Sequence, residues 1–468
     1  MLIVMTIAEK AFRLWTPRVL LSILIALLIF QPPNIHSSMS TSTPISHVVI
    51  ILQENHSFDN YFGTYPTANG TLHDNITRSL QPVNGIPNGV CLPYLSGCLS
   101  PYFEKGYNTT DPVEGQITYE NDTNGGLMNG FPTYSGSQSM AYYDYHQLAA
   151  YWDYAEEYGL ANNYFASVLS MTTPNRLTLF AGDTPVAYDY GPPPYIAYNQ
   201  TLLYQLSANN VTWGYFDYPF SNVTGIYPFI YVSGFDQSAR NNVQEIGNFF
   251  QDLSGGTLPS VSFVMSLDSS PVINHHSISL DEHPPYNVTA GELWSVSVVN
   301  AVMQSSYWNS TAIFIGWDEG GGYYDHVPPP QVFTIDHGFD NPLHGYGQRL
   351  PFLVISPYAK ENYVSQTQLS HLSMIHFIEY NWQLAPLNQN VASANLMLDF
   401  FDFNAPPRPP IILGTPGYSA LSYPIPLQIP LADLPYARTG SYQPPAAGNS
   451  TGIGQLPVLV ARYRKPIF

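Results

Sequence analysis

The sequence predicts an α/β fold built on a mostly parallel sheet. Three observations carry this prediction. Short apolar runs of strand character alternate with longer segments of helical periodicity. A chain of 468 residues, 45% of them hydrophobic, is large enough for one big core or two smaller ones. Two carboxylate-bearing pairs, Glu54-Asn55 and Asp318-Glu319, each stand just behind an apolar run. In open α/β sheets ligands bind at the carboxyl ends of the strands.

The first strand is expected near His47–Gln53, around Val48-Val49-Ile50-Ile51-Leu52. A loop-rich insertion follows from about 64 to 135. Helical periodicity over about 144–158 comes from Leu148, Tyr151, Trp152 and Tyr158. Residues 161–182 read as a loop entering a helix. A Pro/Tyr-rich stretch, 184–198, leads to a helix near Thr201–Ala208 and a strand at Val211–Phe216. Helices are predicted at Asn242–Leu253 and Ala290–Ser305, strands at Thr311–Trp317 and Leu350–Ser356, and a helix at Leu369–Asn381. The chain is expected to divide into a leader and spacer (1–44), a main α/β domain (45–404) and a proline-rich C-terminal extension (405–468).

Lys10, Arg13 and Arg18 precede the apolar run Val19–Phe30. That is the pattern of a signal peptide, and it is short for a membrane span, which needs roughly 20 apolar residues. Without a small-x-small cleavage site, an uncleaved anchor close to the membrane is the alternative. The chain carries 11 Asn-x-Ser/Thr sequons, among them Asn108, Asn121, Asn199, Asn210, Asn222, Asn287, Asn309 and Asn449. Its two cysteines, Cys91 and Cys98, lie in one Gly/Pro-rich loop and are expected to form a local disulfide. Together these features predict a secreted or cell-surface protein bearing N-glycans. The 14 Lys+Arg against 33 Asp+Glu give a net charge of −19, which argues against a nucleic-acid partner.

The chemistry is read from five clusters. Glu54-Asn55 and Asp318-Glu319, brought together at neighbouring strand ends, would present hard oxygen ligands to one divalent metal ion. Each acid could instead cap a following helix, but glutamate caps poorly. In Ser170-Met171-Thr172-Thr173-Pro174-Asn175-Arg176-Leu177, the Thr pair and Pro mark a helix N-terminus, a place that suits an anion. A hydroxyl there can attack phosphorus if a metal lowers its pKa. Arg176 is a candidate phosphate clamp or a structural ion-pair partner. Asp281-Glu282-His283-Pro284-Pro285 and Tyr324-Asp325-His326-Val327-Pro328 each set a His beside a carboxylate. Such a His can ligate metal, bind phosphate or protonate a leaving group. His371 is expected to pack or cap a helix, and His56 to support the site from behind.

At these residues the chain resembles the secreted phosphoesterase family, which holds non-specific phospholipases C and a group of acid phosphatases. The resemblance runs from Glu54-Asn55-His56-Ser57-Phe58-Asp59-Asn60-Tyr61-Phe62-Gly63 through Asn162–Ser167, Thr172–Leu177, Asp281–Pro285, Tyr307–Ala312 and Tyr324–Pro330 to Arg349–Ala359. It implies a fold like the alkaline-phosphatase superfamily: three α/β/α layers, with helices on both faces of a central sheet. It implies that Glu54, Asn55, Asp318 and Glu319 hold one metal ion, with the Thr172 hydroxyl as fifth ligand and nucleophile, or Thr173 if the register slips. Asn175, Arg176 and His326 are expected to face phosphate, and His283 to touch phosphate or protonate the leaving group. Two positions depart from the family: Gly320 stands where the plant enzymes have His, and Glu114 stands near another expected His. The reading is a metal-dependent phosphoesterase acting on a phosphate ester or phospholipid; the alternative is a non-catalytic, glycosylated surface protein that keeps the fold. Aromatic residues over Tyr188–Tyr198 could line a lipid groove or simply pack.

Overall fold

Val48, Ile50 and Leu52 face one hydrophobic cluster, and Val49 and Ile51 face another. An apolar run buried on both sides is what the centre of a parallel sheet requires. The computed structural model describes residues 40–66, 80–189, 196–217, 228–266, 272–273, 276–277, 279–330, 334–335, 343–413, 428–430 and 455–457. Eight of its strands form the main sheet: β1 (His47–Gln53), β2 (Gly159–Ala161), β3 (Trp213–Asp217), β4 (Val243–Glu245), β5 (Val261–Met265), β6 (Thr311–Trp317), β7 (Phe352–Ile355) and β8 (Tyr363–Ser365). Their order is β4-β3-β5-β1-β6-β7-β2-β8. All neighbours pair parallel except β7, which runs against both β6 and β2.

Helices cover both faces. Those used below are α1 (Phe58–Phe62), α2 (Tyr145–Glu157), α3 (Thr172–Ala181), α4 (Val288–Met303) and α5 (His371–Asn381). α3 and α5 pack in the cluster of Val48, Ile50 and Leu52. α2 and α4 pack in the cluster of Val49 and Ile51. The α/β class, the mostly parallel sheet and the three layers are as the sequence predicts.

One segment differs in type. Val243–Glu245 is a strand, and the helix begins only at Ile246. Val243 pairs with Tyr215 at the sheet edge, so tertiary pairing overrides the helical periodicity that continues into the next ten residues. Cys91 and Cys98 form a disulfide across a short hairpin. Residues 405–413 lie against the core: Trp308 Nε1 donates to the Arg408 carbonyl at 2.9 Å, and Asn300 Nδ2 to that of Leu413 at 3.0 Å. The predicted leader and part of the Tyr188–Tyr198 stretch lie outside the described residues. No helix among the described residues is long and apolar enough to cross a membrane.

Candidate active site

The site forms where β1 and β6 end. The two strands pair in parallel with Gln53 opposite Trp317, so Glu54-Asn55 and Asp318-Glu319 leave the same sheet edge side by side. The Asp318 backbone N–H donates to the Gln53 carbonyl at 3.1 Å. The Asn55 N–H donates to Asp318 Oδ1 at 3.1 Å. Asn55 and His56 both adopt positive φ, 62° and 70°, so the chain turns sharply directly after the first acid. Left-handed backbone at non-glycine residues is costly and clusters at functional sites. Gly321, at φ 59°, faces this turn, and a Cβ there would come 2.5 Å from the Asn55 Cβ.

α3 brings the third component. Met171, not a threonine, is its N-cap and makes no side-chain cap bond. Thr172 is the first helical residue, and its hydroxyl is free to donate to Glu54 Oε2 at 3.2 Å. The helix-end N–H of Thr173 is taken by Asp189 Oδ1 at 2.7 Å. Thr173 itself is fully buried, whereas Thr172 is half-buried. One turn on, Arg176 donates to Glu54 Oε1 and, at 3.2 Å, to Asp318 Oδ2. These contacts join Glu54, Asn55, Asp318, Thr172 and Arg176 into one cluster.

Glu319 enters by a second layer of contacts. Its Oε2 accepts from Tyr119 OH and from the Gly321 N–H, both at 2.7 Å. Glu114, from the insertion, accepts from Asn55 Nδ2 and lies 3.9 Å from His283 Nε2. Burial raises Glu319 well above the usual carboxylate range, and the nearby Glu114 and Asp318 charges raise it further. Burial likewise pushes Glu114 up to about 8, although His283 pulls it down. Burial pulls His283 down, but Glu114, Asp111 and Asp281 hold it above its ordinary value. His283 Nδ1 donates to the Pro284 carbonyl at 2.6 Å, which leaves Nε2 towards Glu114.

The residues present fit a hard cation. The five expected ligands offer only oxygen, the donor type of Mg²⁺, Ca²⁺ or Mn²⁺. Asn55 Oδ1 and Glu319 Oε1 are buried with no hydrogen-bond partner among the described residues. Four acids, Glu54, Asp318, Glu319 and Glu114, meet here, and Arg176 is the permanent cation seen to bond to them. A cation bound among them would let these acids ionise together. Two groups of acids and imidazoles also bring three ligand atoms within 4.8 Å of one another: Asp111, Glu114 and His283 beside this site, and Asp59, Asp325 and His326.

Two residues expected to face phosphate are held by protein partners. Every amide atom of Asn175 is engaged: Oδ1 accepts from the Val168 N–H at 3.1 Å, and Nδ2 donates to the carbonyls of Val168, Ser170 and Met171 at 3.3, 3.0 and 3.1 Å. Asn175 therefore shapes the loop that presents Thr172. His326 is bound by Asp59 Oδ2 at 2.6 Å through Nδ1 and by Asn84 Oδ1 at 3.1 Å through Nε2. It joins a buried network in which Arg349 pairs with Asp59 at 2.9 Å and with Asp325 at 3.1 Å.

His56 is stacked between Tyr61 and Tyr323, and burial lowers it to about 4. His371 opens α5, is likewise lowered to about 4 by burial, and holds the Trp317 carbonyl at 2.9 Å. Both are buried and bonded to backbone carbonyls, His56 to that of Glu282 and His371 to that of Trp317. Sequence reasoning missed Tyr119 and Gln348, and gave Glu282 only as the carboxylate beside His283. Both amide atoms of Gln348 are buried without a partner among the described residues. A Cβ at Gly320 would stand 1.7 Å from Gln348 Oε1, so a glycine in place of the plant enzymes' His makes room for this side chain.

A three-layer α/β sheet with an acid-rich oxygen site at its strand ends is the frame in which the comparisons place a hydrolase of phosphoric esters. The Phosphoesterase family model matches residues 45–385, and the chain belongs to that family. It is similar to "Phospholipase C B" of Mycobacterium tuberculosis, 28% identical over 429 residues, covering 78% of this chain and 79% of that protein. It is similar to "Non-specific phospholipase C1" of Arabidopsis thaliana, 25% identical over 348 residues, covering 69% of this chain and 62% of that one. Among solved structures, a protein in the alkaline phosphatase superfamily from Vibrio parahaemolyticus shows a TM-score of 0.36 at 11% identity, covering 79% of this chain and 76% of that one.

Proposed function

We propose that the protein is a secreted or cell-surface, metal-dependent phosphoesterase whose nucleophile is the hydroxyl of Thr172. The observation that carries this reading is the placement of that hydroxyl: it starts α3, is half-buried, and bonds to Glu54 within the acid cluster. Glu54, Asn55, Asp318, Glu319 and Thr172 would hold one divalent ion. When bound, the ion supplies positive charge that lowers the Thr172 pKa and offsets charge on the phosphoryl oxygens.

The chain's own residues do the rest. Thr172 reacts as its alkoxide, its proton having gone to bulk water. Its Oγ1 bonds to phosphorus as the bond to the leaving oxygen breaks, giving a phosphothreonine. Arg176 fixes Glu54 and Asp318 and places a guanidinium beside the developing charge. His283 gives its Nε2 proton to the leaving alkoxide. It regains a proton from the water that attacks phosphorus; the P–Oγ1 bond breaks, returning Thr172 as the alkoxide and releasing a phosphate monoester from a diester substrate or phosphate from a monoester. Asn175 keeps the Val168–Met171 loop in place throughout.

The phospholipase C names of the relatives favour a phospholipid over a soluble monoester. Export is supported by the basic-then-apolar N-terminal sequence, the disulfide, and the exposure of Asn108, Asn121, Asn199, Asn210 and Asn309. Asn55, also a formal sequon, is fully buried and is kept for the site. The test is turnover of p-nitrophenyl phosphate and p-nitrophenyl phosphorylcholine with and without chelator. Chelator-sensitive hydrolysis is expected, with the phosphorylcholine ester preferred. No turnover by folded, metal-supplied protein would favour the non-catalytic surface role.

A further inference from the structure

We propose that Glu282 is a positioning residue that sets the spacing of the metal ligands by holding both ligand-bearing strand ends from behind. The inference rests on the proposed metal site. Glu282 is fully buried, and its carboxyl group meets four side-chain donors. Oε1 accepts from Tyr151 OH at 2.5 Å and from Gln53 Nε2 at 3.1 Å. Oε2 accepts from Tyr61 OH at 2.8 Å and from Trp317 Nε1 at 3.0 Å. Gln53 directly precedes Glu54, and Trp317 directly precedes Asp318.

The pleat gives these contacts their meaning. Successive side chains of a strand point to opposite faces. Trp317 lies in the cluster of α2 and α4, and Gln53 reaches Glu282, Tyr151 and Ser295 on that same side. The next residue on each strand, Glu54 and Asp318, therefore turns to the opposite face, where Arg176 of α3 meets both. One carboxyl group fixing residue 53 and residue 317 thus aims residues 54 and 318.

The adjoining backbone repeats the tie. The Asp281 carbonyl accepts from the Glu54 N–H at 2.8 Å. The Glu282 carbonyl takes His56 Nε2 at 2.8 Å. Glu282 itself sits at φ 73°, a left-handed conformation that a non-glycine residue holds only when its surroundings impose it. Gly291 of α4 lets it in, since a Cβ there would fall 2.2 Å from Glu282 Cγ. A core residue needed only for burial would not require a carboxyl group ringed by four oriented donors.

The experiment measures binding of Mn²⁺ alone to the chelator-treated full chain, from the electron paramagnetic resonance signal of free Mn²⁺, alongside thermal unfolding. Glu282→Gln puts an amide N–H₂ against donors. Residues behind metal ligands typically change affinity by ~10–100-fold when altered, and a loss of that size is expected here, with activity recovered at high Mn²⁺. If that variant fails to fold, two milder ones decide. Trp317→Phe cuts the tie to β6 and is expected to weaken Mn²⁺ binding. Tyr61→Phe removes a donor on α1, off the ligand strands, and is expected to lower the melting temperature with a much smaller effect on binding. Variants that lose stability but bind Mn²⁺ like wild type would overturn the proposal. Wild-type protein that does not bind Mn²⁺ would overturn the metal site itself, and this proposal with it.

Discussion

Arg176 and a bound cation answer the same two carboxylates, and replacing the arginine exposes that competition. In Arg176→Met the stem is kept, but Glu54 and Asp318 lose the guanidinium that meets both of them. Arg176 and Glu54 side chains are each only 9% exposed and that of Asp318 0%, so water does little to replace the pairing. Removing one partner of a buried pair costs ~3–5 kcal/mol. A domain of this size shifts by roughly 2 °C per kcal/mol, so the metal-free variant should melt about 6–10 °C below wild type. Added cation should return much of that loss, because it meets a site with one positive charge fewer. A ligand at 100 times its Kd stabilises by ~2.7 kcal/mol, and the variant's gain should exceed that of wild type at the same metal concentration. Differential scanning fluorimetry of both proteins, with and without Mn²⁺, measures each of these shifts. An unchanged metal-free melting temperature, or a metal-induced gain no larger than in wild type, would refute the shared-carboxylate geometry.

Further predictions rest on the same contacts. Thr172→Ala should abolish phosphoester hydrolysis while leaving the melting temperature within a few degrees of wild type; retained turnover would remove Thr172 as nucleophile. The metal-free protein should be most stable in acid. Burial raises Glu114 to about 8 and Asp122 to about 7. Their folded pKa values exceed the unfolded ones, so this stability is complete below pH ~4.5 and is lost as pH rises towards 8. Melting temperatures of chelator-treated protein that rose across that window would contradict the burial of these acids. Gly320→Ala should destabilise the protein and impair the site, because the new Cβ would meet Gln348 Oε1 at 1.7 Å; an active, equally stable variant would show that Gln348 is not held there.

The parts of the fold that were legible in sequence are those where local pattern and tertiary role agree. β1 and β6 are continuous apolar runs because each is buried on both faces, and their bounds could be read directly. The acids behind them stood out for the same reason: charge directly follows a fully apolar strand. β2, β5 and β8 were not read. β2 and β8 have three residues each, and β5 has five interrupted by Ser262, too little period to distinguish from loop. Val243–Glu245 was absorbed into the periodicity of the adjoining helix.

In the site, residues carried by a recognisable motif were legible, including Thr172 and His283 far along the chain, whereas the pairings among distant residues were not. Glu114 is 59 positions from Asn55, Tyr119 is 200 from Glu319, and Glu282 is 229 from Gln53. No local spacing encodes such meetings. Asn175 and His326 show where sequence alone leaves a role open. Polar residues beside a nucleophile or a proline loop resemble ligands in sequence, but only the fold shows that Val168, Ser170 and Met171 consume the amide and that Asp59 and Asn84 consume the imidazole.

The most direct test is to quench the metal-supplied enzyme in acid during turnover of p-nitrophenyl phosphate and map any covalent phosphate by peptide mass spectrometry. A phosphoryl group on Thr172, absent when chelator precedes substrate, is the predicted result. Turnover with no phosphorylated peptide at any quench time, or with phosphate on Thr173 instead, would contradict the account.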